Sequence, residues 1–139
     1  NAFKKDKHVK SYISEVYEQL KLDDFVPYDA WYLVTTYGKQ TETILETYKT
    51  LKDKDKYIRL VKAELHFGID YEMIQNPIDF FVRRTGRLYF DIDSIKYLMG
   101  PILEEFRFIC KWSNEKKDSY RDTLNKMISE HSDFSITRG

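Results

Sequence analysis

Residues 64–91, Glu-Leu-His-Phe-Gly-Ile-Asp-Tyr-Glu-Met-Ile-Gln-Asn-Pro-Ile-Asp-Phe-Phe-Val-Arg-Arg-Thr-Gly-Arg-Leu-Tyr-Phe-Asp, decide how this chain is organised. A helical pattern runs out at Tyr71-Glu72-Met73, and a second one opens at Asn76-Pro77-Ile78-Asp79. Asn76 suits an N-cap, and Pro77 suits the first helical position, where no donor is needed. Asp79 falls third, where a carboxylate reaches back to the cap. From that start Ile78, Phe81, Val82, Leu88 and Tyr89 line one face, and Arg83, Arg84 and Arg87 sit on the same apolar body.

Outward from this junction the apolar residues recur at helical spacing. Val9, Tyr12, Ile13, Val16, Tyr17 and Leu20 predict an amphipathic helix over 5–20. Asp23-Asp24 is the expected cap of a second helix, with Pro27 in its first turn and Gly38 at its end. That helix is expected to bury Ala30, Trp31, Val34 and Tyr37. A third spans about 41–51 on Ile44, Leu45, Tyr48 and Leu51. Residues 52–56 read as a solvated link whose acids cap a fourth helix bearing Tyr57, Leu60, Val61, Leu65, Gly68 and Tyr71. Ile95, Leu98, Met99, Ile102, Leu103, Phe106, Ile109 and Cys110 form the longest stripe, which Gly100-Pro101 is expected to kink or briefly break. Ser113 caps a last helix with Tyr120, Leu124, Met127 and Ile128. The expected fold is all-α, a single compact bundle of about six to seven helices over residues 3–131. Asn1-Ala2 reads as the remnant of a cleaved expression tag, and 132–139 as a frayed tail.

Composition narrows the function. The 139 residues are enough for one domain with a core, and 42% hydrophobic with 33% charged residues describes a globular chain. Five glycines and three prolines favour long helices over a turn-rich β architecture. The 23 basic and 23 acidic residues cancel, so no overall positive field is available for nucleic acid. No apolar run reaches the roughly 20 residues needed to span a bilayer, and no signal peptide is visible. The single cysteine, Cys110, fits a reducing cytosol and lies on an apolar stripe, which predicts an inert core thiol.

The motifs for chemistry are sparse. The glycines at 38, 68, 86, 100 and 139 stand alone, so no Gly-x-Gly-x-x-Gly loop and no Walker-type loop is present to cradle phosphates. Glu64, His66, Asp70 and Glu72 lack a second histidine and any metal-ligand spacing; a local His66–Asp70 pair among surface acids is expected. Trp31, Tyr32 and Tyr37 have no interleaved basic residues, so core packing is expected rather than base stacking. Catalytic, cofactor and metal residues are therefore expected to be absent from this chain. Arg83, Arg84 and Arg87 are the sharpest positive cluster. Three uses are open to them: ion pairs within the domain with Glu72 or Asp79, docking on a partner surface, and a small phosphate ligand. On an α-helix Arg83 and Arg87 would share a face, with Arg84 about a quarter turn away.

The elements Ala63-Glu64-Leu65, Tyr71-Glu72-Met73, Pro77-x-Asp79-Phe80 and Arg83-Arg84-Thr85 resemble the C-terminal domain of FAD-dependent glycerol-3-phosphate dehydrogenases and their relative, α-glycerophosphate oxidase. Pro101-Ile102-Leu103-Glu104-Glu105 and Lys111-Trp112-Ser113 extend the likeness, which is strong from about Ala63 to Ile128 and looser before it. The resemblance implies an all-α accessory domain of a flavoprotein that oxidises sn-glycerol 3-phosphate to dihydroxyacetone phosphate, with quinone or oxygen as acceptor. It places FAD and the substrate in an N-terminal portion of the parent. That portion is then the expected partner, no FAD is bound here, and Arg83, Arg84 and Arg87 are candidate interdomain docking residues. A cytoplasmic parent, or one peripheral at the inner face of the membrane, and a homo-oligomer are compatible with this reading. Two other classes remain open on the residues alone: a helical interaction module of an unrelated protein, and a nucleic-acid-binding helical domain using the arginines.

Overall fold

The computed structural model describes residues 2–84 and 92–138, with side chains described within 7–82 and 92–131. The described elements are all helical, as the 3.6-residue period requires, and they gather in two compact units, 1–50 and 51–139. Among the described residues there are six α-helices: α1 (Ala2–Leu20), α2 (Pro27–Tyr37) and α3 (Thr41–Thr50) in the first unit, and α4 (Lys56–Tyr71), α5 (Ile92–Cys110) and α6 (Asn114–Arg138) in the second. α6 is continuous through the stretch that the sequence sets apart as a tail.

In the first unit α1 packs along α2. Val16 and Leu20 are buried there, and Tyr12, Ile13 and Tyr17 are half-buried beside them. The junction that follows differs from expectation. Lys21–Asp23 forms a 3-10 turn, Asp24 adopts a left-handed conformation with φ of 63°, and Phe25 turns inward to be buried. The cap of α2 is therefore not Asp23-Asp24. Val26 holds the N-cap position, and Asp29 at N3 accepts its backbone N–H at 3.1 Å. Asp23 instead accepts the Tyr48 hydroxyl at 2.7 Å, which ties the turn to α3. Gly38 closes α2 with φ of 59°, a conformation that favours glycine. Beyond it the buried Thr41 hydroxyl donates to the Leu33 carbonyl at 3.1 Å. Trp31 is not buried: it is 49% exposed, because α2 turns Ala30, Leu33, Val34 and Tyr37 inward.

In the second unit Asp55 caps α4, accepting the N–H groups of Tyr57 at 2.9 Å and Ile58 at 3.1 Å. The link before it is less solvated than its charge suggests, since Asp53, Asp55 and Lys56 are half-buried. α4 buries Leu60, Val61, Ala63, Leu65 and Phe67, whereas Tyr57 and Tyr71 at its ends are exposed. It stops with Met73 at φ of 58°, and the Ile74 N–H returns to the Gly68 carbonyl at 3.0 Å. The Gly68 carbonyl also accepts the Glu72 N–H at 3.0 Å, so a left-handed close one residue wider than a Schellman turn folds Ile74 back onto the helix. A Cβ on Gly68 would lie 2.9 Å from Ile74 Cγ1, so glycine is what permits that return.

Residues 77–78 then open a helix that passes into a π-helix over Asp79–Arg84. Phe80 and Phe81, adjacent in sequence, are both fully buried, their rings edge to face at 5.4 Å. They join Val61, Leu65, Ile95, Leu98, Ile102, Leu103, Phe106, Leu124 and Ile128 in one core. Leu88 and Tyr89, expected on the same face, lie outside the described residues. α5 runs without a break through Pro101, flanked by buried Leu98, Met99, Ile102 and Leu103. Packing on both sides holds the helical path where the missing donor alone would favour interruption. Cys110 is exposed rather than in the core, because the helix ends at this residue and Lys111 reverses the chain with φ of 58°. Ser113 caps α6, its hydroxyl accepting the Lys116 N–H at 3.1 Å.

Two substitutions test these junctions. Asn76→Ala removes the acceptor of the Asp79 N–H, 2.9 Å away, and should cost about 1 kcal/mol in thermal or denaturant unfolding. Met73→Gly should stabilise by about 1 kcal/mol, since it relieves the left-handed strain while deleting a side chain that is 80% exposed. An unchanged unfolding midpoint in either variant contradicts the corresponding junction.

Candidate functional site

The arginine cluster follows the best-defined helix start in the chain. Asn76 Oδ1 accepts the Asp79 N–H, and the Asn76 side-chain amide donates to the Asp79 carboxylate at 3.4 Å. The Phe80 N–H reaches the Asn76 carbonyl at 3.2 Å, so the first turn closes as an α-turn before the winding widens. Arg83 and Arg84 occupy the last two positions of the π-helix. Arg87 lies outside the described residues, as do the side chains of Arg83 and Arg84. The expected facing of the three arginines therefore lies outside the described side chains. Single-turn π segments inside helices recur at functional sites, which singles out this stretch independently of its charge.

A second polar constellation was only half visible in the sequence. His66 does not pair with Asp70, which is exposed. Its Nε2 donates to Glu105 on α5 at 2.7 Å, across 39 residues of sequence. Glu105 also lies 3.6 Å from Lys62 Nζ, and Lys62 donates to Asp53 at 2.8 Å. Asp53, Lys62, Glu105 and His66 thus form a chain of alternating charge linking the segment before α4, α4 itself and α5. Lys62 and Glu105 are each only 16% exposed. Burial works against the Lys62 charge, but its hydrogen bond to Asp53 and the field of Glu105 outweigh it and raise the ammonium above its usual value. Glu64 is fully buried and Glu72 half-buried, so neither is the surface acid expected. One sequence signal pointed at Glu105: an acid three residues from Ile102 and next to Phe106 borders the apolar stripe and needs a partner.

On the outer side of α5, Glu104 accepts from Arg107 within its own helix and from Lys117 of α6 at 2.9 Å. Arg107 first and Lys117 second hold its carboxyl down to about 2. Below this pair the rings of Phe106, Trp112 and Tyr120 stack at 5.4 and 4.9 Å, with Lys116 Nζ 5.1 Å above Trp112. These contacts fasten α5 to α6. Trp31, Tyr32 and Tyr37 do not form a shared platform: Tyr37 is buried, while Trp31 packs on Tyr28 at 5.5 Å. Among the described residues no group of three or more His, Cys, Asp or Glu is placed to hold a metal ion. No described helix is long and apolar enough to cross a membrane.

Helices closed by left-handed reversals, a π segment and interhelix polar clamps define an all-helical domain. The family model for the C-terminal domain of alpha-glycerophosphate oxidase matches residues 5–117, and the chain belongs to that family. It is 33% identical over 126 residues to an alpha-glycerophosphate oxidase of Streptococcus pyogenes serotype M6, covering 90% of this chain and 20% of that protein. It is 30% identical over 105 residues to the aerobic glycerol-3-phosphate dehydrogenase of Bacillus subtilis, covering 73% of this chain and 19% of that protein. The glycerol-3-phosphate dehydrogenase of Bacillus halodurans, solved in complex with FAD, shares the fold with a TM-score of 0.74 at 23% identity, over 88% of this chain and 25% of that one. The chain therefore spans about one fifth of the length of the curated relatives it matches.

Two measurements probe the clamps. Lys62→Met leaves Asp53 and Glu105 without their shared cation and should destabilise by about 1–2 kcal/mol at neutral pH, between exposed and fully buried pairs. Because the Lys62 value is raised, its contribution is present below 10.5 and fades as pH rises beyond it. Glu104 has the opposite sign. Its lowered carboxyl favours the fold above 4.5, and that advantage is lost as pH falls through about 2. Thermal unfolding of Glu104→Gln should show a flatter acid limb than the parent chain; an identical limb rules out the clamp.

Proposed function

We propose that this chain is the C-terminal accessory domain of an FAD-dependent oxidoreductase that oxidises sn-glycerol 3-phosphate to dihydroxyacetone phosphate. The observation that carries this reading is the family match over residues 5–117. The oxidase and dehydrogenase named above, both similar to this chain, add support. The flavin and the reacting groups belong to the N-terminal portion of the parent, which is also the partner of this domain. The residues here do not suit FAD. No Gly-x-Gly-x-x-Gly loop occurs in the sequence, and among the described residues no strand exists to present one. The parent works in the cytoplasm or at the inner face of the membrane. Arg83, Arg84 and Arg87 dock the domain against carboxylates of the flavin-bearing portion, a geometry that guanidinium groups serve well.

The full-length protein should purify yellow and oxidise glycerol 3-phosphate with an artificial acceptor, whereas the 139-residue chain should be colourless and inactive. Flavin co-purifying with the chain alone would overturn this division of labour. In the full-length protein, alanine at a docking arginine should cost roughly 2–5 kcal/mol of stability. The same change should leave the melting temperature of the chain alone unaltered. Equal destabilisation of both would assign the arginines to scaffolding within the domain.

A further inference from the structure

The helix α2, Pro-Tyr-Asp-Ala-Trp-Tyr-Leu-Val-Thr-Thr-Tyr, carries two apolar stripes instead of one. Ala30, Leu33, Val34 and Tyr37 recur at i, i+3, i+4 and i+7 and are buried. Tyr28, Trp31, Tyr32 and Thr35 recur at the same intervals on nearly the opposite side, Tyr32 half-buried and the others exposed, with the Thr35 hydroxyl turned back to donate to the Trp31 carbonyl at 2.7 Å. Tyr28 is 63% exposed, and its ring lies 5.5 Å from that of Trp31. The helix has one charged residue, Asp29, and that carboxylate accepts the Val26 N–H at the N-terminus. The solvated sides of α1 and α3 are built differently, with Lys10, Glu15 and Glu18 on one and Glu42, Glu46 and Lys49 on the other. A helix apolar on both sides is one that a larger protein covers on both sides.

We propose that the outward Tyr28-Trp31-Tyr32-Thr35 face of α2 is a docking surface for the N-terminal, flavin-bearing part of the same polypeptide. This rests on the reading of the chain as one part of a longer flavoprotein. Four fifths of the length of the matched relatives lies outside the matched region, and the family is named as a C-terminal domain. An uncharged aromatic stripe suits a permanent contact within one chain, where tyrosine and tryptophan anchors are desolvated, and not a salt-steered encounter. The surface is separate in sequence from Arg83-Arg84-Arg87, so the two docking assignments stand or fall independently.

Hydroxyl-radical footprinting of the full-length protein tests the assignment. Tyr28 and Trp31 should be modified several-fold more slowly than in the unfolded chain, and the protection should persist on dilution to the monomer. Trp31→Asp in the full-length protein should lower the melting temperature by several degrees, and Trp31→Phe should restore most of it. Rapid modification at every concentration overturns the proposal. Protection that vanishes on dilution, with a fall in mass by light scattering, overturns it in favour of a second copy of the chain. Flavin content of the same sample separates the two layers: a colourless protein with Trp31 protected sinks the flavoprotein reading and leaves an intrachain docking face. Because the footprint is read on the unaltered protein, a variant that fails to fold does not blunt the test.

Discussion

Three times among the described residues a helix is stopped by a residue in the left-handed conformation, followed at once by an apolar side chain that returns to the helix. Asp24 precedes Phe25, Met73 precedes Ile74, and Lys111 precedes Trp112. In each case the N–H of the apolar residue bonds a carbonyl of the helix it leaves: Phe25 and Trp112 reach five positions back, to Leu20 at 3.3 Å and Arg107 at 3.0 Å, and Ile74 reaches six back, to Gly68 at 3.0 Å. The constraint is general, since the last carbonyls of a helix need donors and a chain that turns back supplies them. Here none of the left-handed positions is glycine, so each reversal carries some backbone strain, which burial of Phe25 and Ile74 and the stacking of Trp112 offset. The direction in which each following segment leaves depends on this arrangement.

Within the second unit the reversals place polar clamps on both sides of an aromatic-rich core. Asp53, Lys62, Glu105 and His66 connect α4 to α5, and Glu104 with Lys117 connects α5 to α6. The core supplies most of the burial, through Phe80, Phe81, Phe106 and the aliphatic residues around them. The clamps specify which helix faces meet. A charge chain whose members are half-buried loses much more when one member is removed than it contributes as a set. That asymmetry makes register changes between α4 and α5 costly.

If the flavin lies in another part of a longer parent, as proposed, this domain acts through its surfaces. The π segment ending in Arg83-Arg84 and the outward face of α2 differ in chemistry, one cationic and one uncharged and aromatic. Ionic contacts lend orientation and partner choice, whereas aromatic contacts contribute desolvated area. A domain docked in one position, as proposed, would be served by both.

The sequence by itself determined the helical class, most helix bounds, the Asn76 and Ser113 caps, a cap for α4 among the acids of 52–56, the close of α2 at Gly38, and the family. These depend on local spacing and on side chains acting within a few residues of their own backbone. The tertiary structure decided the rest. Trp31 and Cys110 lie at apolar positions yet are exposed, because a stripe does not reveal how wide a face its neighbours cover. Pro101 stays inside α5 because packing on both flanks outweighs a missing donor. The Val26–Asp29 start of α2 follows from a 3-10 turn that occupies Lys21–Asp23 and frees Asp23 for Tyr48. His66 meets Glu105 and not Asp70 because 39 residues of folded chain bring α5 alongside α4, and no local period encodes a distance of that kind.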